Sequence, residues 1–161
     1  MLGKSIYRDF IANLRKGWKK DLPSLRPLTE ARKNLPKAST FYAGVMRDSG
    51  QHVYFQHSDK SWQVGQFTIN VVVASDELNP KMYPANRSGS HFGEGYHRIG
   101  DFVGTKDKWW HLNQDDDPIL TEAWRPSSYQ NTDIVLSEAV DDVTRDVLSA
   151  LRLLQVPVEA S

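Results

Sequence analysis

Residues 66–74 read QFTINVVVA, and this stretch decides the fold. Its apolar and polar side chains alternate at the start, which is the pattern of a strand that buries one face. The apolar positions that predict the core face are Phe67, Ile69, Val71 and Val73. Gln66, Thr68 and Asn70 point to the other side. The sequence therefore predicts a strand over Gln66–Ala74 with one apolar face and one polar face.

Four further segments have strand patterns. Thr40–Arg47 and His52–Ser58 precede the central strand, and the sequence DSGQ between them favours a hairpin turn. Tyr96–Val103 and a segment around Lys108–Leu112 follow the central strand. Successive strands joined by short turns predict an antiparallel sheet of about five strands.

A helix is predicted at each end of the chain. Ser5 is the expected N-cap of the first helix. The apolar stripe of that helix is Ile6, Phe10, Ile11, Leu14 and Trp18. The apolar stripe of the C-terminal helix runs at intervals of three and four residues from Val135 to Leu154, and the helix ends before Pro157. Residues 132–136 are alternatively a strand that leads into this helix.

The combined pattern predicts a single two-layer α+β domain over residues 1–161. Both helices are expected to pack on the Phe67 face of the sheet. Residues 21–38, with three prolines, are predicted to be an ordered connector, and residues 76–95, rich in Gly, Pro, Asn and Ser, a long loop. The chain has no signal-like apolar segment at its N-terminus and no run long enough to span a membrane, which predicts a cytoplasmic protein. It contains no cysteine, which excludes disulfides, thiolate catalysis and cysteine-ligated zinc.

Charge is distributed unevenly although its sum is zero. Residues 1–37 carry ten Lys and Arg against three Asp and Glu, whereas residues 111–161 carry three against ten. A basic end can contact nucleic acid, but nucleic-acid-binding domains usually have a basic excess overall. We therefore expect the two terminal helices to pack side by side and neutralise each other, and we do not expect a nucleic-acid partner.

The polar face of the predicted sheet is the candidate functional surface. The candidate binding residues are Tyr54, Gln56, Ser58, Thr68, Asn70, Arg98, Trp109 and Trp110. Because neighbouring residues of a strand point to opposite faces, one of the two tryptophans is expected on this surface and the other in the core. Amides, an arginine and large aromatics are typical of recognition surfaces, so the pattern favours the binding of another protein.

Five short motifs follow one another along the chain: FY at Phe41, QxS at Gln56, FTIN at Phe67, RIG at Arg98 and WW at Trp109. In this order of motifs the chain resembles the bacterial domain-of-unknown-function family four-three-zero-four. The resemblance covers most of the chain. It implies the fold and assigns no catalytic residue.

An enzymatic alternative depends on histidines. His91, His97 and His111, with nearby carboxylates, are the residue types of a metal-dependent hydrolase or nuclease. The glycines around His91 make a helix unlikely there, so the spacing of the histidines does not predict a metal site. The sequence also lacks a GxSxG motif, a P-loop and a dinucleotide glycine pattern. The leading prediction is thus a non-enzymatic binding module, immunity-like or regulatory, without a metal or cofactor.

Overall fold

The computed structural model describes residues 2–22, 25–27, 42–46, 52–61, 65–74, 95–113, 124–154 and 156. Three helices lie within these ranges: α1 (Leu2–Asp21), α2 (Ile99–Val103) and α3 (Leu136–Leu153). The strands are β1 (Arg26–Pro27), β2 (Tyr42–Met46), β3 (His52–Ser61), β4 (Gln66–Ala74), β5 (Gly95–Arg98), β6 (Asp107–Asn113) and β7 (Tyr129–Val135).

The seven strands form one sheet in the order β1-β2-β3-β4-β6-β7. Strand β5 also pairs with β4, at residues 70–73, whereas β6 pairs with β4 at residues 66 and 67. All pairs are antiparallel except β6 with β7, which is parallel. The predicted α+β class, with a mainly antiparallel sheet and helices at both ends of the chain, is confirmed.

The apolar face of β4 is the centre of the core, as its alternation predicts. Phe67 lies 4.7 Å from Phe10 of α1 and 5.4 Å from Trp110 of β6, measured between ring centroids. The aliphatic residues of α3 that belong to the same buried cluster are Ala139, Val143, Val147, Ala150 and Leu151. Both terminal helices therefore contribute to one core with the Phe67 face of the sheet.

The terminal helices are neighbours, as expected from their complementary stripes. The indole Nε1 of Trp18 in α1 donates a hydrogen bond of 2.9 Å to Thr144 Oγ1 in α3. Two acidic residues of α3, Asp142 and Asp146, form their described ion pairs with Lys108 and Arg145 instead of with α1. Apolar residues of both helices in one buried cluster, and this hydrogen bond, join α1 to α3.

Two local predictions were wrong. Helix α1 already begins at Leu2, so Ser5 lies inside the helix and is not its N-cap. The predicted strand Tyr96–Val103 is a strand only to Arg98, after which the chain turns into α2. Gly100 permits this turn because its Cα passes close to the backbone of Lys106, where a Cβ would lie 2.2 Å from the carbonyl oxygen.

The sheet also exceeds the predicted five strands at both edges. The open alternative at residues 132–136 is resolved in favour of a strand, β7, that leads directly into α3. Its parallel pairing with β6 is set by long-range contacts that no local pattern encodes.

Most of the predicted connector 21–38 and of the loop 76–95 lies outside the described residues. None of the described helices is long and apolar enough to cross a membrane.

Candidate functional site

The face of the sheet opposite the core, called the second face here, brings together most of the predicted binding residues. It is defined by Gln66, Thr68 and Asn70 of β4 and the residues that lie beside them. Asn70 pairs with Arg98 of the neighbouring strand β5, and the Arg98 Nη1 donates a 2.9 Å hydrogen bond to Asn70 Oδ1. On the other side, the backbones of Gln56 and Ser58 lie opposite Asn70 and Thr68. The side chains of Gln56 and Ser58 lie outside the described atoms.

The second face is polar but not open, which corrects the expected exposed surface. Thr68 and Asn70 are 0% exposed, and Tyr54 and Trp109 are also buried. The Thr68 hydroxyl donates a 2.6 Å hydrogen bond to the carbonyl oxygen of Lys108. Alternation in a sequence reports which face a side chain occupies, and it does not report what packs on that face. Thr68 and Asn70 are therefore internal hydrogen-bonding groups.

The two tryptophans divide between the faces, with Trp109 on the second face and Trp110 in the core. Trp110 is fully buried, and its Nε1 donates a 2.7 Å hydrogen bond to Asp142 Oδ2 of α3. The assignment of Trp110 to the binding surface was therefore wrong, because its strand position matches that of Phe67, its cross-strand partner.

Aromatic rings lead from the buried second face to the surface. The guanidinium of Arg98 lies 5.4 Å from the ring centroid of Trp109. Trp109 stacks on Tyr129 of β7 with centroids 5.2 Å apart and ring planes at 6°. Tyr129 in turn contacts Trp124 edge to face at 5.1 Å. Trp124 is 52% exposed, so a continuous aromatic series ends in an exposed indole.

Gln66 fixes the backbone at Trp124. Its Nε2 donates a 2.6 Å hydrogen bond to the carbonyl oxygen of Trp124, and its Oε1 accepts a 3.1 Å hydrogen bond from the Trp124 N–H. The side-chain amide thus pairs with a backbone amide as a neighbouring strand would. Since Gln66 is buried, the backbone that carries the exposed indole is held by an interior side chain.

A charged cluster is formed by His111, Arg125 and Asp133, and Arg125 directly follows Trp124 in the chain. His111 of β6 pairs with Asp133 of β7, and their Nδ1 and Oδ1 atoms are 3.2 Å apart. The Arg125 Nη2 lies 2.5 Å from the same Asp133 oxygen and 3.3 Å from His111 Nδ1. Partial burial raises the pKa of Asp133, but the hydrogen bonds and charges of Arg125 and His111 outweigh it and leave that pKa below its ordinary value.

A second ion pair lies on the helix side of the sheet and is structural. Lys108 Nζ lies 2.6 Å from Asp146 and 3.3 Å from Asp142, both on α3. Burial raises the pKa of Asp146 above its ordinary value, although Lys108 acts in the opposite direction. This pair fastens α3 to β6 and takes no part in the second face.

The structure does not bring together the histidines of the enzymatic alternative. His97 pairs with Val71 on the core side, where its ring contacts Phe102 edge to face at 5.9 Å. His111 pairs with Gln66 on the second face, and His91 lies outside the described residues. Within the ranges that the structure describes, no three His, Asp or Glu side chains are placed to share a metal ion.

Sequence reasoning missed the surface end of this site. The missed residues are Gln66, Trp124, Arg125, Tyr129 and Asp133. Gln66 shows the only available signal, because a glutamine beside a buried strand position requires a partner for both ends of its amide. The others depend on the parallel register of β6 with β7, which places Asp133 beside His111.

Trp124, Arg125, Tyr129 and Asp133 are together called the rim. They stand at the partly exposed border of the second face, above the buried residues that orient them. No family model, curated protein or solved structure matches this chain.

Proposed function

We propose that the chain is a protein-binding module and that its partner docks on the rim. One observation supports this proposal above the others: Trp124 is 52% exposed, yet both polar groups of its backbone are fixed by Gln66. An exposed indole that is already ordered loses little conformational entropy on binding. Tryptophan and arginine are also the residues most enriched among interface hot spots.

The charges of the rim suit a recognition role. The side chains of Arg125 and Asp133 are 37% and 47% exposed, so a partner can reach both. They hold each other in place before binding, which fixes a positive and a negative group beside the indole. Complementary charges on a partner would set its orientation and exclude other proteins.

The residues predicted from the sequence have a supporting role in this proposal. Arg98 and Trp109 lie beneath Tyr129 and hold it in position, and Asn70 orients Arg98. Their replacement should weaken binding only through movement of the rim. Stoichiometric binding of this kind is how an immunity-like or regulatory protein acts, which is the function that the sequence favours.

The proposal is tested by site-specific photo-crosslinking in the native host. A photoreactive phenylalanine derivative replaces Trp124 in one full-length chain and Leu153 in another. Leu153 is the matched control because it is 50% exposed and lies on α3, away from the second face. We expect a discrete protein adduct from position 124 and none from position 153.

The captured protein is then purified and titrated against the unmodified chain and a Trp124→Ala variant. Loss of a hot-spot tryptophan costs about 2 kcal/mol or more, which is roughly a thirtyfold rise in Kd. Equal affinity of both chains, identical adducts from both positions, or adducts that a nuclease destroys would each overturn the proposal.

A further inference from the structure

The two edges of the sheet differ in a way that points to a second interface. One edge is β1, a strand of two residues that ends in Pro27. Short strands and prolines are common means by which proteins keep a sheet edge from pairing with another chain. The other edge is β7, which is seven residues long. Within the described ranges, no strand pairs with its outer side.

Strand β7 lacks three of the usual protecting features, namely a proline, a lysine and a bulge. Its sequence, YQNTDIV, has no proline and no lysine. It pairs with β6 at seven consecutive positions without a bulge, so the strand is regular along its length. None of its seven residues is buried. Its only charged side chain, Asp133, is already held by Arg125 and His111.

We propose that β7 pairs antiparallel with β7 of a second copy of this chain, about a two-fold axis at Thr132. In this register Thr132 lies opposite Thr132, Asn131 opposite Asp133, and Tyr129 opposite Val135. Thr–Thr and amide–carboxylate neighbours are favourable cross-strand pairs. Residues of the same face also remain opposite each other, as a two-fold axis perpendicular to the sheet requires.

The sequence of β7 favours this register and favours a second copy of β7 as the pairing strand. A shift of the axis to Asp133 would place two carboxylates directly opposite each other, which is destabilising. A shift to Asn131 would place Tyr129 opposite Asp133 and withdraw the aliphatic end of the strand from pairing. The strand is therefore complementary to itself around Thr132, and it needs no foreign sequence to complete it.

A dimer of this kind would present two rims on the same side of one continuous sheet. A partner with two binding sites, or two adjacent partners, would then be held far more tightly than by one copy. The inference itself does not depend on the proposed partner, because it follows from the sheet edge alone.

The absence of cysteine in this chain gives a direct test. Opposite residues of antiparallel strands have Cα atoms about 4.5–5.5 Å apart, within the range that a disulfide bridges. A Thr132→Cys variant should therefore form a covalent dimer under mild oxidation. The matched control is Ser149→Cys on α3, whose hydroxyl bonds only to the helix backbone, at Arg145 O. It should form at least tenfold less dimer at the same concentration.

The unmodified chain is measured in parallel by light scattering after size-exclusion chromatography, which needs no variant to fold. We expect twice the mass of one chain, and the mass of one chain for Thr132→Lys, which places a charge at the axis. A single-chain mass at every concentration, together with equal disulfide yields from positions 132 and 149, would overturn the inference. Trp124→Ala should leave the dimer intact. A failure of the dimer proposal can therefore be distinguished from a failure of the proposed partner site.

Discussion

Gln66 shows how one side chain connects parts of the chain that lie 58 positions apart. Its amide satisfies the donor and the acceptor of Trp124 at once, through two separate atoms, Oε1 and Nε2. A buried amide of this kind stabilises the fold modestly when both bonds are made and destabilises it when one is lost. The main effect of Gln66 is therefore to fix the position of Trp124 in the rim, although its net contribution to the free energy of unfolding is modest.

Replacement of Gln66 by glutamate tests this role. A carboxylate cannot donate to the Trp124 carbonyl, so we expect Gln66→Glu to lower the free energy of unfolding by about 1–3 kcal/mol. Urea denaturation measures the loss. Asn13→Asp, an exposed amide-to-carboxylate change on α1, should alter stability by less than about 0.5 kcal/mol. Similar losses in both variants would contradict the assigned hydrogen bonds.

The lowered pKa of Asp133 predicts acid sensitivity. Because this pKa is lower in the folded chain than in the unfolded chain, the carboxylate stabilises the fold above its ordinary pKa, and that stabilisation is lost as the pH falls through the folded pKa. Urea midpoints between about pH 5 and pH 2 should fall less steeply for Asp133→Asn than for the unmodified chain. An unchanged slope would mean that Arg125 and His111 do not stabilise this carboxylate.

Asp146 predicts a pH dependence of opposite sign. Burial raises its pKa in the folded chain, so its contribution to stability is greatest at low pH and declines as the pH rises through that pKa. Asp146→Asn should remove this decline and make the stability rise more steeply with pH than in the unmodified chain. The same urea series measures it, and a flatter curve would be the contradicting result.

Among the elements, the five-residue helix α2 separates two strands that share one neighbour. Strands β5 and β6 both pair with β4, and α2 carries the chain out of the sheet and back between them. Gly104 closes the helix in the left-handed conformation, with φ at 73°. Gly100 provides the space in which the returning backbone passes. These two glycines have different physical roles.

Alanine substitutions distinguish the two roles. At Gly100 the new Cβ would meet the Lys106 carbonyl oxygen, and backbone on both sides prevents adjustment, so we expect a loss of about 3 kcal/mol. At Gly104 nothing lies within 4 Å, so Gly104→Ala should cost only the conformational strain, about 1–2 kcal/mol. Thermal denaturation ranks the two variants. The reverse order would show that the chain at Lys106 can move aside.

At the scale of the whole molecule, one core joins the sheet to both terminal helices. Phe67 is its centre because it contacts α1 through Phe10 and β6 through Trp110. Lys108 and Trp110 reach α3 from the same side of β6 through Asp142 and Asp146. The helix layer and the sheet are therefore held by apolar packing at the centre and by polar contacts at one border.

Removal of the central ring should affect the whole fold. Phe67→Ala leaves a cavity beside the rings of Phe10 and Trp110, and we expect it to cost about 3–5 kcal/mol of unfolding free energy. Leu153→Ala, at an exposed site, should change stability by less than about 0.5 kcal/mol. Chemical denaturation monitored by tryptophan fluorescence gives both values. Comparable effects of the two substitutions would be inconsistent with the core described above.

The sequence predicts what local periodicity encodes. It places Phe67 and Ile69 in the core, the polar residues of β4 on the second face, and α3 over the sheet. It does not predict what contacts Gln66 and Trp109 on the second face, because Trp124 and Tyr129 reach β4 and β6 from distant positions. The rim is missed for the same reason, since the parallel register of β7 has no local signature.

The parallel position of β7 has a consequence for how the chain acquires its structure during synthesis. Strand β6 already lies beside β4 in the sheet order, yet the strand that covers its other side and the helix that covers Phe67 both come from residues after Tyr129. A nascent chain that ends before α3 leaves Phe67 and Trp110 without their aliphatic cover. Close packing around Phe67 and Trp110 must therefore wait until α3 has left the ribosome.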